Sequence, residues 1–359
     1  MAEEFTVYWA ALRPNEDGSR PALGLIPAVS GSYSHILNKP GAFSVTIPLT
    51  YTPGGFSLND IAPGKTLVVI ERYGTPVYAG ILWGISANMG SNTATLNGLG
   101  ILSYFRKRYL RIGKSFTSTE FVEIATWLID KAQESSGNIG VDTSSLTNTG
   151  QTGTRRYYSY ELNEIGKLLE SLNALHRGFD LRFTVTKNTM GYQLAASNTP
   201  SRLGRPTNLV FDPDRGATSF NLDINASDMA NSVVLTGSGE GSERIDGKAI
   251  DTAPTNVGYP VLESVTGATS DKLSQRGLNN HADAQLRAVS TPLYVPSLTL
   301  LADAEPGLGS YYVGDQAAVR VNHDILSYAE DCKILQIAVS FETGKNTSAS
   351  VSFIPLANL

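Results

Sequence analysis

A dense series of short alternating segments, each closed by a turn, constrains the fold of this chain most. Phe43, Val45 and Ile47 alternate with polar residues, the period-two pattern of a strand with one buried face. Residues 66–70, 77–85 and 93–96 show similar short apolar or alternating runs, separated by turns rich in Gly, Pro and Asn. Short strands at this spacing predict a small barrel or sandwich over residues 1–110.

Residues 111–228 change to helical spacing. The first predicted helix has apolar residues on one face, namely Phe121, Ile124, Ala125, Leu128, Ile129 and Ala132, and Thr117 with Glu120 predicts a capping box before it. The second carries Leu162, Ile165, Leu169 and Leu172 and is expected to stop before Gly178. The polar stretch 134–156 is predicted to be a loop, and residues 179–185 and 192–196 a hairpin around Lys187 and Asn188.

Residues 229–359 return to strands. The predicted strands are 232–236, 297–301, 317–321, 332–341 and 348–354, and the last two flank the turn 343–346. A helix over about 271–288 is expected among them, capped by Ser270 and with Leu278, Ala282 and Leu286 on its apolar face. The predicted fold is therefore mixed and β-rich (α+β). It has two small β-barrel domains (1–110 and 229–359) joined by an α/β middle domain (111–228).

Composition excludes several classes of protein. The 28 Lys and Arg residues are outnumbered by 33 Asp and Glu, so the chain lacks the basic excess of a nucleic-acid-binding protein. Cys332 is the single cysteine, which excludes an intrachain disulfide and a multi-cysteine zinc site. The first residues do not resemble a signal peptide, and no apolar run is long enough for a membrane span, so synthesis in a cytoplasm is expected.

Two motifs could carry chemistry but fit structural roles better. The cluster Gly237–Gly241 could cradle a phosphate, yet no helical periodicity follows it, which favours a flexible loop. His323 and Asp324 lie within ten residues of Cys332, but the alternation that begins at Cys332 favours a buried small side chain over a nucleophile.

The remaining candidates are histidines, carboxylates and a basic run. His176 falls in the last turn of the second predicted helix, where a cation is favourable, and neither His35 nor His281 has a second ligand at metal spacing. Residues 212–216 favour an Asx turn over a calcium loop, and the basic run 106–111 favours a domain edge over a nucleic-acid patch. We therefore expect no catalytic, metal-binding or cofactor-binding residues and no cofactor.

Five segments, taken in order along the chain, resemble one known family. They are the Asn-x-Pro-Gly turn and strand at 37–45, the turn and paired strands at 62–81, the strand and Tyr-bearing turn at 96–108, the strand at 228–237, and the Gly-Asp turn at 313–317. The set resembles the hub family of phage tails, which includes siphophage minor tail proteins and contractile-tail baseplate hubs.

The resemblance implies a structural protein of the virion and not an enzyme. It implies two barrels per chain in a trimeric ring that closes the tail tube and receives the end of the tape-measure protein. It also implies contacts with the tail tube or distal tail protein and with further tip or receptor-binding proteins, during attachment and DNA delivery. DNA would pass through a neutral or negative lumen without specific binding. Because Leu359 closely follows the last predicted strand, we expect a bare hub without an attached spike or lysozyme.

Two alternatives stay open at the level of sequence. A distal tail ring subunit also uses β-barrels, although the α/β middle region and the inserted helix favour the hub. A carbohydrate-binding or hydrolytic tail module would need exposed aromatic side chains beside a pair of carboxylates in a cleft.

Overall fold

β-strands dominate the computed structural model, as the sequence predicts. The structure describes residues 4–50, 55–175, 178–199, 201–237, 239, 243–267 and 274–359. The strands are β1 (Phe5–Ala11), β2 (Gly24–Ile26), β3 (Ser30–Ile36), β4 (Ala42–Pro48), β5 (Thr66–Arg72), β6 (Thr75–Asn88), β7 (Thr93–Gly100), β8 (Lys114–Glu120), β9 (Val141–Asp142), β10 (Thr152–Tyr157), β11 (Asp180–Asn188), β12 (Gly191–Thr199), β13 (Arg205–Phe211), β14 (Ala217–Asn225), β15 (Ser232–Thr236), β16 (Asp246–Ile250), β17 (Glu263–Gly267), β18 (Leu293–Leu301), β19 (Asp315–His323), β20 (Leu326–Glu342) and β21 (Ser348–Pro355). The helices are α1 (Leu102–Phe105), α2 (Phe121–Ala132), α3 (Ile165–Asn173), α4 (Ala253–Asn256) and α5 (Gln275–Val289).

One large sheet joins the two ends of the chain. Its main path runs β14-β18-β21-β20-β3-β4-β7-β6-β5-β1-β2, and β13 and β19 are attached beside β20. The link is the antiparallel pair β3–β20, in which Tyr33 lies opposite Val339. Strands from the first and the last predicted region therefore share one hydrogen-bonded sheet.

Alternation along the strands places the main core on one face of this sheet. Phe43, Val45 and Ile47 of β4 point inward and are almost completely buried, as their spacing predicts. They join one apolar cluster with Val351 and Phe353 of β21. The two ends of the chain thus share a core as well as hydrogen bonds.

A second core lies on the opposite side of β5. Val68 and Ile70 face the main core, whereas Leu67 and Val69 face the helices, so this strand is buried on both faces. The helices α2 and α3 supply the rest of this core, and Leu128 is completely buried in it. The apolar face predicted for the first helix is therefore confirmed.

A small α/β unit lies between β14 and β18 in the chain. Its sheet has the order β16-β15-β17, and α5 covers one face with Leu278, Ala282 and Leu286, the three residues predicted for that face. Ser274 caps the helix by accepting a hydrogen bond from the backbone N–H of Gly277. The predicted cap, Ser270, and residues 271–273 lie outside the described residues.

Three local predictions for the middle region are wrong. Thr117 and Glu120 belong to β8 and form no capping box; the Glu120 carboxylate accepts hydrogen bonds from Thr149 instead. Leu162 precedes α3 in a left-handed conformation and is exposed. The predicted loop 134–156 contains β9 and most of β10, because β10 pairs with β8 although both are largely polar.

The hairpin predicted after the second helix is present with a shifted turn. β11 and β12 are antiparallel, and Lys187 and Asn188 pair across the ladder with Tyr192 and Gly191. The turn therefore falls at residues 189–190, two residues later in the chain than predicted.

Candidate functional site

The residues considered for nucleophilic catalysis lie far apart. Cys332 is fully buried, its sulfur lies 3.5 Å from the Tyr328 hydroxyl oxygen, and burial raises the pKa of the thiol to about 11. His323 lies at the exposed tip of the β19–β20 hairpin, where its Nε2 is 3.8 Å from Asp324 Oδ2. It pairs with Leu326, six residues before Cys332 on β20. A protonated, buried thiol without a histidine beside it has a packing role.

The other histidines form no metal site in the part of the chain that the structure describes. His35 Nε2 donates a hydrogen bond to the Val77 carbonyl at 3.0 Å, and burial holds the pKa of the ring below its usual value. His281 is exposed on α5, and His176 lies outside the described residues. Among the described residues, no group of three or more His, Cys, Asp or Glu side chains could hold a metal ion.

Two turns considered for ligand binding have structural roles. Gly237 donates a backbone hydrogen bond to Ile245, and the strand β16 follows where a phosphate cradle would need a helix N-terminus. The other residues of that glycine cluster, 238 and 240–241, lie outside the described residues. Asp212 accepts a hydrogen bond from the backbone N–H of Asp214 at 3.0 Å, which is the Asx turn expected there.

Residues of the basic run 106–111 bind the helices α2 and α3. The Arg106 guanidinium lies 2.6 Å from Glu170 on α3. Arg108 Nε donates to the carbonyl of Ala132 at 2.9 Å, which places a cation at the C-terminal end of α2. Leu110 is buried. Arg106 and Arg108 therefore have structural partners on α3 and α2.

Two of the family-like motifs meet in space. Asn38, in the Asn-x-Pro-Gly turn, accepts a hydrogen bond from Leu181 N–H at 2.8 Å and donates one to Asp180 Oδ1 at 3.1 Å. Gly314, in the Gly-Asp turn, lies beside the same carboxylate, since an added Cβ would be 3.4 Å from Asp180 Oδ2, at ordinary van der Waals distance. Asp180 also forms a 2.7 Å ion pair with Lys333 of β20.

We call Asn38, Asp180, Gly314 and Lys333 the motif junction. Both charged side chains of the pair are only 2% exposed, and Thr199 Oγ1 donates a further hydrogen bond to Asp180. Burial lowers the pKa of Lys333, and the attraction of Asp180 opposes that shift. The junction ties together the first strands, the middle hairpin and the last strands of the chain.

The Asp of the second motif has a partner of its own. Asp315 is fully buried and accepts two hydrogen bonds from the Arg205 guanidinium, at 2.9 and 2.7 Å. It also accepts one from the backbone N–H of Tyr312. This geometry holds β13 beside β19 and the preceding loop.

The outward face of the large sheet has an unusual composition. Eight adjacent strands (β14, β18, β21, β20, β3, β4, β7 and β6) contribute register-aligned positions that hold mostly Ser, Thr, Asn and other small or uncharged residues. We call this surface the hydroxyl face; its positions are Ser219, Asn221, Ser297, Thr299, Leu301, Ser348, Ser350, Ser352, Gln336, Ala338, Ser340, Glu342, Ser30, Ser32, Ser34, Ala42, Ser44, Thr46, Thr93, Thr95, Asn97, Leu99, Gly84, Ser86 and Asn88.

The register aligns these residues in rows across the strands. In one row, Ser348 lies opposite Ser340, Ser340 opposite Ser32, and Ser32 opposite Ser44. The row continues from Ser44 to Asn97. A groove of about 770 Å³ lies along this part of the face.

Sequence reasoning missed the hydroxyl face, although its signal was visible. Serines recur at every second position in 30–34 and in 348–352. The two runs are aligned only through β20, which pairs with β3 on one side and β21 on the other.

Solved structures share this fold over nearly the whole chain. The 43 kDa tail protein of prophage MuSo2 from Shewanella oneidensis is 12% identical with a TM-score of 0.63, over 98% of this chain and 99% of that chain. A tail protein from Neisseria meningitidis MC58 is 10% identical with a TM-score of 0.63, over 99% of each chain.

A third structure with this fold comes from a bacterial secretion system. A component of the E. coli type VI secretion system, described as similar to the T4 bacteriophage tail proteins gp27 and gp5, is 8% identical with a TM-score of 0.50, over 93% of this chain and 74% of that chain. Identities this low establish a shared fold, and that fold is the one the sequence motifs indicated.

Sequence comparison adds no relative. No family model and no curated protein matches the chain. Among the described residues, no helix is both long and apolar enough to cross a membrane.

Proposed function

We propose that this chain, which has the fold of phage tail proteins, is a structural subunit of a bacteriophage tail tip, a baseplate hub or minor tail protein, and not an enzyme. The observation that carries the proposal is the match to two tail proteins over 98% or more of every chain compared. The motif junction supports it, because the segments that resemble the hub family are the ones that hold the parts of the molecule together.

The two predicted barrels are part of the proposal. β2 ends at Ile26 and β3 begins at Ser30, so a short linker joins the two outer strands of the set β3-β4-β7-β6-β5-β1-β2. The set β13-β19-β20-β21-β18-β14 has the same property. A short linker joins its two outer strands, because β13 ends at Phe211 and β14 begins at Ala217. A sheet whose outer strands are neighbours in the chain has to curl toward closure. The second set includes β13 and β14, which the sequence placed in the middle domain.

Two barrel-like halves per chain suit a ring of three subunits. Three chains would present six similar units, which match a six-fold tail tube on one side and offer three-fold symmetry on the other. A closed ring repeats one heterologous interface and leaves no free end. We place the ring in the virion between the tail tube or distal tail protein and the tip or receptor-binding proteins, with the tape-measure protein ending against it.

A map of the virion tail tip tests this assignment. We expect the chain as a three-fold ring that surrounds the channel. A single copy, or six identical copies, would exclude the hub. Purified protein should also hydrolyse no peptidoglycan, polysaccharide or peptide, and turnover that a single carboxylate substitution abolishes would show an enzyme instead.

A further inference from the structure

We propose that the hydroxyl face lines the channel of the tail-tip ring and is the surface past which duplex DNA moves. This inference rests on the proposed function, because it needs a ring with a channel. It adds which face of the chain turns inward and why that face has its composition.

The hydroxyl face does not resemble a surface exposed to bulk solvent. Of the whole chain, 17% of residues are charged, yet no Lys or Arg occupies one of the positions that make up the face. Lys333 lies on the same side of β20 beyond the bulge, but it is 2% exposed and paired with Asp180. Solvent-facing sheet surfaces normally carry interspersed Lys, Arg, Glu and Asp, which keep proteins soluble and blunt edge pairing. The absence of exposed cations from these positions therefore needs another explanation.

The face also lacks the features of a protein-protein interface. Interface centres are enriched in aromatic residues, Met and Arg and depleted in Ser. Here the aromatic side chains of the same strands, such as Phe43 and Tyr33, point to the buried side and the serines point out. Leu99, Leu301 and Val295 are large apolar residues on this side, and all three lie toward the ends of their strands. Trp83 lines the groove, but it is half-buried and donates a hydrogen bond to Ser103 Oγ at 3.0 Å. The centre of the face, around Ser32 and Ser340, therefore carries short hydroxyl side chains.

Duplex DNA passing through a channel requires a wall of this kind. Lys and Arg hold DNA by contacting phosphates and releasing counterions, and a wall without them provides no such contacts. Asp223, two residues beyond Asn221 on β14, lies at one margin of the face, and its negative charge opposes the approach of phosphates. Glu342 lies at another margin. Lys345, in the adjacent turn, is paired with Glu342 at 2.8 Å. Serine and threonine side chains stay hydrated, and because they are short they extend only slightly from the wall toward the DNA.

The shape of the face agrees with its composition. The groove lies at the β3–β20 seam, where the two barrel-like halves meet, and Ser32 and Ser340 lie opposite each other within it. A concave section of this kind can follow part of the outline of a cylinder. The face as a whole spans strands from both ends of the chain, so each subunit would contribute a wide section of wall.

Single thiols placed on the face test the proposal. Cys332 is 0% exposed, so we expect the natural cysteine not to react with maleimides in the folded chain. Ser32→Cys and Ser340→Cys each add a thiol of nearly the same size at the centre of the face. Ser171→Cys, at an exposed position of α3, is the matched control away from the sheet. Each variant is treated with N-ethylmaleimide and with a polyethylene-glycol maleimide too bulky for a tail channel.

The expected pattern differs between the free chain and the ring. In the free chain both reagents should modify both face thiols. In tails emptied by genome release, N-ethylmaleimide should still modify them and the bulky reagent should not. Modification by both reagents would place the face outside the ring, and protection from both would show a protein neighbour covering it; either result overturns the proposal. A tail-tip map without a ring would overturn the proposed function instead.

Charge substitutions provide a functional readout. Ser32→Lys with Ser340→Lys would add about six cations to a ring of three chains, which makes log K for DNA binding steeper against log salt by roughly 5 if all of them engage. We expect DNA release to slow several-fold at low salt and to recover at high salt. The matched pair Ser32→Glu with Ser340→Glu should release DNA at the unmodified rate. Equal rates for the Lys and Glu pairs would overturn the proposal.

Discussion

The motif junction allows one substitution to test how the three parts of the chain are held together. Lys333→Met keeps most of the aliphatic stem and removes the ammonium group that lies 2.7 Å from Asp180. The carboxylate would remain buried with hydrogen bonds from Asn38 and Thr199, and the Arg202 carbonyl would lose the donor it has in Lys333.

The size of the effect follows from burial. Removing one partner of a buried ion pair costs about 3–5 kcal/mol, because the other charge stays in a poorly solvated site. Asp180 retains two donors in the variant, so we expect a loss near the lower end, about 3 kcal/mol. Lys345→Met is the matched control: its pair with Glu342 is 68% and 49% exposed, and we expect a loss of at most about 1 kcal/mol.

Urea unfolding of the purified chain measures both variants. The free energy of unfolding should fall much further for Lys333→Met than for Lys345→Met, and Asp180→Asn combined with Lys333→Met should lose less than the sum of the two single losses. A loss below about 1 kcal/mol for Lys333→Met, or strictly additive losses in the double variant, would show that Asp180 and Lys333 do not form an ion pair shielded from water.

Three further predictions test packing, backbone and burial. Leu128→Ala should cost about 2–5 kcal/mol in urea unfolding because it opens a cavity under α2, and a loss under about 0.5 kcal/mol would mean that the helix face is exposed. Gly41→Ala should lower the melting temperature more than Gly74→Ala: both have positive φ, but a Cβ at Gly41 would lie 2.1 Å from the Ser34 carbonyl oxygen, whereas Gly74 faces open space. The Cys332 thiol should react with maleimide only after unfolding. Burial raises the pKa of this thiol in the folded chain from 9.0 to about 11, so its contribution to the free energy of unfolding is present below pH 9 and is lost as pH rises toward 11. Cys332→Ala should remove this decrease from the dependence of the unfolding free energy on pH.

Local periodicity explains what the sequence predicted well. Leu278, Ala282 and Leu286 recur at helical spacing, and all three are buried under α5 because one face of a helix is decided by residues a few positions apart. The strands of the first region were equally visible, since alternation and the turns that close it are local.

Long-range pairing explains what could not be predicted. β8 and β10 are polar, and each becomes a strand only because the other is its partner, so the local sequence around Thr117 predicts a helix cap instead. The hydroxyl face is similar: serines at alternate positions indicate a solvent-facing side of one strand, but only the pairing of β3 with β20 merges the separate runs into one surface. The motif junction likewise depends on Asn38 meeting Asp180, which are distant in sequence.

The longest strand shows how the junction and the hydroxyl face are fixed relative to each other. β20 pairs with β19 as far as Lys333 and with β3 from Gln336 onward, and a bulge lies between Ile334 and Gln336. A bulge bends its strand and increases the local twist. A strand shared by two curved halves of a sheet needs such a bend at the point where it passes from one to the other.

The bulge also holds the turn that carries Asn38. The Leu335 carbonyl accepts a hydrogen bond from Leu37 N–H at 2.8 Å, directly before that turn. On one side of the bulge Lys333 is covered by the junction, and on the other side Gln336 opens onto the hydroxyl face. The same short segment of β20 therefore ends the buried, charged contact that joins the parts of the chain and begins the uncharged surface. Neither feature can shift along the strand without the other.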